Sequence, residues 1–154
     1  MHTLTRSQHL SAPPSEAFQF FADAFNLEAI TPPWLQFRVT TERPIDMRPG
    51  ALIEYRLRLH GVPIRWRTRI ATWEPGVRFE DVQLRGPYRL WHHTHTFEPD
   101  GDGTLMRDVV RYSLPLGPAG ELAHSLFVRQ DLERIFDYRR NTVAEMTRPR
   151  PAAG

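Results

Sequence analysis

Residues 52–59 read LIEYRLRL, a stretch in which apolar and charged side chains alternate from position 53 onward. Because successive side chains of a strand point to opposite faces, Ile53, Tyr55, Leu57 and Leu59 share one face of an extended chain. Glutamate and arginine side chains occupy the other face. Such alternation predicts a strand of an antiparallel sheet that buries one face and turns the other toward solvent.

Similar extended segments lie before and after this one, and turn residues separate them. Candidate strands cover residues 3–10, 35–39, 64–73, 77–84, 88–97 and 104–114. Asp100-Gly101-Asp102-Gly103, between the last two, is a strong hairpin signal. Short strands at this regular spacing predict an antiparallel meander.

Helical periodicity is found in two other parts of the chain. Clustered phenylalanines between residues 11 and 25 predict one short helix, and residues 27–30 a second, ended by Thr31-Pro32-Pro33. From about residue 119 to residue 146 the chain predicts one long amphipathic helix. Its apolar stripe contains Val128, Leu132, Ile135, Phe136, Val143 and Met146.

The long helix is the only predicted element large enough to cover the apolar face of the sheet. A twisted sheet curls around such a helix, and a gap between them becomes a pocket. The sequence therefore predicts an α+β helix-grip fold, with a curved antiparallel sheet of six to seven strands wrapped around a long C-terminal helix and two short helices after the first strand. One domain is expected over residues 1–147, and a disordered tail over residues 148–154.

Composition excludes several classes of chemistry. The chain has 154 residues and no cysteine, and all twenty of its basic residues are arginine. Disulfides, thiolate catalysis, Schiff-base lysines and phosphate-loop lysines are therefore excluded. The arginines are spread among eighteen acidic residues, so we expect no nucleic-acid binding. No apolar run approaches the ~20 residues of a membrane span, and the N-terminus does not resemble a signal peptide, so a cytoplasmic location without membrane insertion is expected.

Several motifs give the chain a family resemblance. It resembles the START-like superfamily, also called SRPBCC, which includes polyketide cyclases, lipid carriers and ligand-binding proteins, and within it a bacterial branch of stand-alone domains. The similarity runs from about residue 2 to residue 145. Its motifs are NLEAITPPWL at 26–35, RWRT at 65–68, GPY at 86–88 and IFDYR at 135–139. A further motif consists of Trp91, His93, Thr94, His95 and Phe97. The resemblance implies the helix-grip fold and a ligand cavity, but the branch has no agreed activity to carry over.

Two histidines are the first candidates for chemistry. One face of the candidate strand at 88–97 contains Trp91, His93, His95 and Phe97, because side chains two residues apart point the same way. The first and last of these side chains are apolar, which indicates that the face points inward. The histidines are interpreted either as a polar cavity wall that hydrogen-bonds a ligand or as satisfied core residues. A metal would need further ligands from elsewhere, so we predict neither metal nor cofactor.

Asp108 and Arg139 are the next candidates. The hairpin after the histidine strand can bring Asp108 within reach of His93 or His95, as a general-base pair requires, although a structural ion pair is the alternative. The candidate catalytic residues are thus His93, His95 and Asp108. Arg139 lies inside the apolar stripe of the long helix, where it can contact an anionic ligand group or form an ion pair.

Aromatic residues complete the predicted cavity. The candidate ligand-binding set is Trp34, Tyr55, Trp66, Trp91, His93, His95, Tyr112, Phe136 and Arg139. Three functions stay open: binding of a hydrophobic or aromatic small molecule that is lipid- or polyketide-like, cyclase or dehydratase activity on a polyketide-like substrate, and an interaction module with a small or filled cavity. A monomer or a homodimer is expected.

Overall fold

Seven strands form a single antiparallel sheet in the computed structural model, which describes residues 1–147. The predicted tail at 148–154 lies outside the described residues. The strands are β1 (His2–Leu10), β2 (Arg38–Val39), β3 (Leu52–Leu59), β4 (Val62–Glu74), β5 (Arg78–Arg85), β6 (Leu90–Asp100) and β7 (Gly103–Ser113). Their spatial order is β1-β7-β6-β5-β4-β3-β2, so β2 to β7 follow one another as a meander and β1 closes the far edge.

The helices follow the predicted order. They are α1 (Pro14–Ala22), α2 (Leu27–Ile30), α3 (Gly117–Ala123) and α4 (Arg129–Met146). A π-helical turn over His124–Val128 joins α3 to α4, so the chain stays helical from Gly117 to Met146. The α+β helix-grip fold is confirmed. No helix in residues 1–147 combines the length and the apolar character needed to span a membrane.

The candidate strand at residues 35–39 is much shorter than its alternation suggests. Pro33–Leu35 form a 3₁₀ turn, and Gln36 has a left-handed backbone with φ 47°. These two features interrupt the extended chain, so only Arg38–Val39 pair with β3. The correction matters for the site, because this turn lies at one edge of the cavity described below.

Two irregularities in the pairing of β4 with β5 help the sheet to curve. The register shifts between Arg67 and Thr68, where the extra residue is on β5, and again between Ile70 and Thr72, where it is on β4. Such bulges bend a strand and increase its local twist. The curved sheet then faces α4, as the helix-grip arrangement requires.

The apolar core is divided into three clusters. One gathers Phe18, Phe21, Phe97 and Val143 where α1 and the end of α4 meet the sheet. A second is built around Ile53, Tyr55 and Ile70, and a third around Val110, Tyr112, Leu132 and Phe136. Burying one such large apolar side chain stabilises the fold by about 1.5–3 kcal/mol. All three clusters contribute side chains to a space left open between them.

Candidate functional site

A cavity of about 160 Å³ lies between the sheet and α4. Most of its lining is apolar, including Phe21, Leu35, Ile53, Leu57, Ile70 and Phe79. A cavity of about 150 Å³ lined by aliphatic and aromatic side chains is large enough to bind benzene. The space therefore matches one aromatic ring or a short aliphatic chain.

Three aromatic side chains form one wall of the cavity. Trp66 of β4 and Trp91 of β6 meet edge to face, with ring centroids 5.3 Å apart, and Tyr88 lies 4.8 Å from Trp91. The indole N–H of Trp66 donates to the hydroxyl of Thr68, 3.0 Å away. This wall presents ring edges and faces to a ligand, and the indole N–H of Trp66 already has its partner.

Two histidines and two aspartates from three neighbouring strands form the polar side of the site. His93 and His95 lie on β6, between Asp81 on β5 and Asp108 on β7. Nε2 of His93 donates to Oδ1 of Asp108 at 2.8 Å, and Nε2 of His95 donates to Oδ2 of Asp81 at 2.9 Å. The imidazole rings stack with centroids 3.7 Å apart. We call these four residues the Asp–His cluster.

One further contact in the Asp–His cluster is electrostatic rather than a hydrogen bond. Nδ1 of His95 lies 3.1 Å from Oδ1 of Asp108. Its direction is unsuitable for a hydrogen bond, and this nitrogen is buried without a hydrogen-bonding partner among residues 1–147. His95 is therefore held between two carboxylates, whereas His93 is bonded to only one.

The charges in the Asp–His cluster follow from these contacts. Burial alone would raise the pKa of Asp81 and Asp108, but the hydrogen bonds and charges of the histidines outweigh burial and hold both pKa values below the ordinary range. Burial and the neighbouring His95 lower the pKa of His93. Burial also opposes the charge on His95, yet its two carboxylate neighbours outweigh burial and raise its pKa. These shifts favour a protonated His95 and a neutral His93 beside two carboxylates.

Arg139 reaches the same cavity from α4. Its guanidinium carbon lies 5.1 Å from the ring centroid of Phe136, and both residues line the cavity. Nε and Nη1 are buried and have no hydrogen-bonding partner among the described residues. The polar face of the cavity thus includes hydrogen-bond donors that the described chain does not use.

Most of the predicted ligand-binding residues share this cavity. They are Tyr55, Trp66, Trp91, His93, His95, Phe136 and Arg139. Asp108 was predicted to approach His93 or His95, and in the structure it contacts both. It does not line the cavity. Asp108 is therefore placed to orient a histidine.

The structure corrects the placement of Trp34 and Tyr112. Trp34 is 52% exposed, because its 3₁₀ turn points Leu35 inward and leaves the indole outside against Tyr138. Tyr112 is buried, but its hydroxyl is bonded to Nε2 of His124 at 2.7 Å, under the helical turn that follows α3. Neither side chain lines the cavity.

Asp81 is the main site residue missing from the predicted ligand-binding and catalytic sets. It lies two positions after Phe79 on β5, and both side chains line the cavity. An acidic residue on the inward face of a predicted strand was the available signal. Tyr88 and Thr68 also line the cavity, and Thr68 is 1% exposed.

Among residues 1–147, two groups of side chains have the composition of metal ligands. In Asp81, His93 and His95 the potential ligand atoms lie within 4.8 Å of one another, as they do in His2, Glu121 and His124. In the first group the Nε2 atoms already donate to carboxylates, and the raised pKa of His95 favours a proton there. These contacts favour a hydrogen-bonded network over a metal site in the cavity.

Comparisons with known proteins agree with this architecture. Residues 1–143 match the family described as polyketide cyclase / dehydrase and lipid transport. Similar solved structures include Zhui aromatase/cyclase from Streptomyces sp. R1128, with a TM-score of 0.76, 16% identity and coverage of 99% of this chain and 98% of that one. Protein CV1439 from Chromobacterium violaceum has a TM-score of 0.74, 18% identity and coverage of 96% and 98%.

A further similar structure, Ara h 8.0201, has a TM-score of 0.66, 16% identity and coverage of 94% of this chain and 98% of that one. No significant match was found among curated proteins. At these identities the structural likenesses show the fold alone.

The charges of the two histidines can be tested by NMR. At pH 7 the ¹⁵N shifts should show an imidazolium at His95 and a neutral ring at His93, because His95 has two carboxylate neighbours. Asp81→Asn removes the negative charge beside Nε2 of His95 and should lower the pKa of His95. Glu80→Gln is the matched control on the same strand, since Glu80 bonds His92 instead. A neutral His95 at pH 7, or an equal effect of both substitutions, contradicts the assignment.

Proposed function

The chain belongs to the polyketide cyclase / dehydrase and lipid transport family, and from that membership we propose that it binds a hydrophobic or aromatic small molecule in the cavity between the sheet and α4. The START-like resemblance of the sequence is confirmed by the same match. Family membership supports hydrophobic ligand binding or a cyclase role in general terms, so the choice between them depends on the site.

The observation that carries the proposal is the cavity itself. Ligand sites are concave and mostly apolar, with a few placed polar groups that set orientation. This cavity has that composition, with an aromatic wall of Trp66, Tyr88 and Trp91 facing a polar side that contains His95 and Arg139. Its volume of about 160 Å³ favours a single ring over a multi-ring polyketide or a long lipid chain.

The Asp–His cluster supports binding more than turnover. The raised pKa of His95 favours its protonated form between Asp81 and Asp108, and that form has no lone pair to accept a proton from a substrate. The carboxylates are likewise occupied by the histidines. The cluster is therefore suited to orienting and hydrogen-bonding a ligand.

One observation favours cyclase or dehydratase activity as a second candidate. The lowered pKa of His93 favours its neutral form, and this side chain lines the cavity. Its Nε2 donates to Asp108, which leaves Nδ1 as the basic nitrogen. In that function His93 would remove a proton from the carbon next to a carbonyl group, and Arg139 would stabilise the enolate oxygen. An interaction module with a filled cavity has less support, because the cavity holds open space.

The remaining features of the proposal follow from the sequence. Residues 1–147 form one ligand-binding domain, the protein acts in the cytoplasm as a monomer or homodimer, and neither nucleic acid nor cofactor takes part.

Ligand binding can be tested with fluorobenzene, whose single ring matches the cavity volume. Its ¹⁹F resonance should shift and saturate on titration with the protein, because the bound ring lies beside Trp66 and Trp91. Leu57→Trp fills the cavity from β3 and should weaken binding by about tenfold or more, equal to at least about 1.4 kcal/mol.

Leu52→Trp is the matched control, because Leu52 lies on the outward face of the same strand and is 49% exposed. Its affinity for fluorobenzene should equal that of the unmodified protein. No saturable shift with the unmodified protein, or the same loss in both variants, contradicts binding in this cavity.

The catalytic candidate predicts proton abstraction from a small carbonyl compound. Acetophenone in D₂O exchanges its methyl protons through an enolate, and ¹H NMR measures the rate. If the cavity only binds, the protein leaves this rate at the buffer value. Accelerated exchange that disappears in His93→Gln and persists in His92→Gln, on the opposite strand face, would establish the catalytic function instead.

A further inference from the structure

Arg139 is the one cation of the cavity without a carboxylate partner in residues 1–147. Its Nε and Nη1 are buried and make no hydrogen bond in that part of the chain. An unsatisfied buried donor costs about 1–3 kcal/mol, and more when the group is charged. Buried polar groups in proteins are nearly always paired, so a buried guanidinium with free donors indicates a missing acceptor.

The carboxylates nearest to this guanidinium are already engaged. Asp81 accepts from His95 at 2.9 Å, and Asp108 accepts from His93 at 2.8 Å. Neither aspartate lies within 4.0 Å of a nitrogen of Arg139 in the described structure. His95 lies between these same two carboxylates, whereas Arg139 has no such carboxylate partner among residues 1–147.

The surroundings of Arg139 define the ligand that would supply the acceptor. Phe136 lies under the guanidinium at 5.1 Å, and Leu132 and Ile135 line the cavity from the same helix. A ligand there needs an apolar body of about one ring, set by the volume of about 160 Å³. It also needs an anionic group, and a carboxylate matches the parallel N–H groups of arginine.

We propose that the cavity selects a single-ring aromatic carboxylate, with the ring against Trp66 and Trp91 and the carboxylate accepting hydrogen bonds from Arg139. This inference rests on the proposed binding function and names the class of ligand. It excludes neutral arenes and long-chain lipids as the preferred occupants.

The test compares 4-fluorobenzoate with fluorobenzene by ¹⁹F NMR, on the unmodified protein and on Arg139→Met. Methionine keeps an apolar side chain in the cavity and removes the donors. We expect 4-fluorobenzoate affinity to fall about 10- to 100-fold, the loss expected for hydrogen bonds to a charged group. Fluorobenzene should bind both proteins within about twofold, since its binding uses no donor.

Arg129→Met is the matched control, because Arg129 lies on the same helix and is paired with Glu133 at the surface. It should leave both affinities unchanged. Arg139→Lys keeps the charge without the fork of N–H groups, so its 4-fluorobenzoate affinity should be intermediate.

The outcomes distinguish a failure of the carboxylate assignment from a failure of the binding function. If fluorobenzene binds but 4-fluorobenzoate affinity is unaffected by Arg139→Met, the carboxylate assignment is wrong and the binding function stands. If neither molecule binds the unmodified protein, the binding function fails and the assignment fails with it. If Arg139→Met does not fold, 4-fluorobenzoate and 4-fluorobenzamide are compared on the unmodified protein. A carboxylate preference of about tenfold or more supports the assignment, and equal affinities overturn it.

Discussion

The polar side of this molecule depends on two buried carboxylates that share two stacked imidazoles. An isolated buried charge costs several kcal/mol, and removing one partner of a buried pair costs about 3–5 kcal/mol. Asp81 and Asp108 avoid this penalty because β5, β6 and β7 place His93 and His95 between them. The cluster therefore ties three central strands together through their side chains. It also raises the pKa of His95, while the pKa of His93 beside the cavity is lowered.

The apolar side of the cavity has a different origin from the polar side. The curved sheet needs a cover, and the chain from Gly117 to Met146 supplies one long helical cover. The three core clusters pack around the edges of this interface. Trp66 meets Tyr88 and Trp91 edge to face, and Tyr88 and Trp91 pack against each other with tilted rings. Rings that brace one another in this way keep a space open between sheet and helix. Arg139 adds a polar group to the otherwise apolar lining on the helix side of the cavity.

Much of the fold could be predicted, because the alternation of side chains along a strand and the apolar stripe along a helix are local sequence patterns. The alternation around Tyr55 determines which face of β3 is buried, and the stripe through Phe136 determines which face of α4 meets the sheet. Asp108 could be placed near the histidines because a tight hairpin at Asp100–Gly103 connects their strands. The pairing of His95 with Asp81 could not be predicted, because it depends on the register between β5 and β6. Trp34 and Tyr112 were misplaced for a related reason: side-chain periodicity gives a face, but not the element that covers it.

The cavity is proposed to hold an aromatic molecule against its polar side. A crystal structure with 4-bromobenzoate, with data collected at the bromine absorption edge, tests this placement. One anomalous peak is expected inside the cavity, between the aromatic wall and Phe136, with carboxylate density in contact with Arg139. A well-ordered structure whose cavity contains no bromine peak, with Arg139 turned out to solvent, would contradict it.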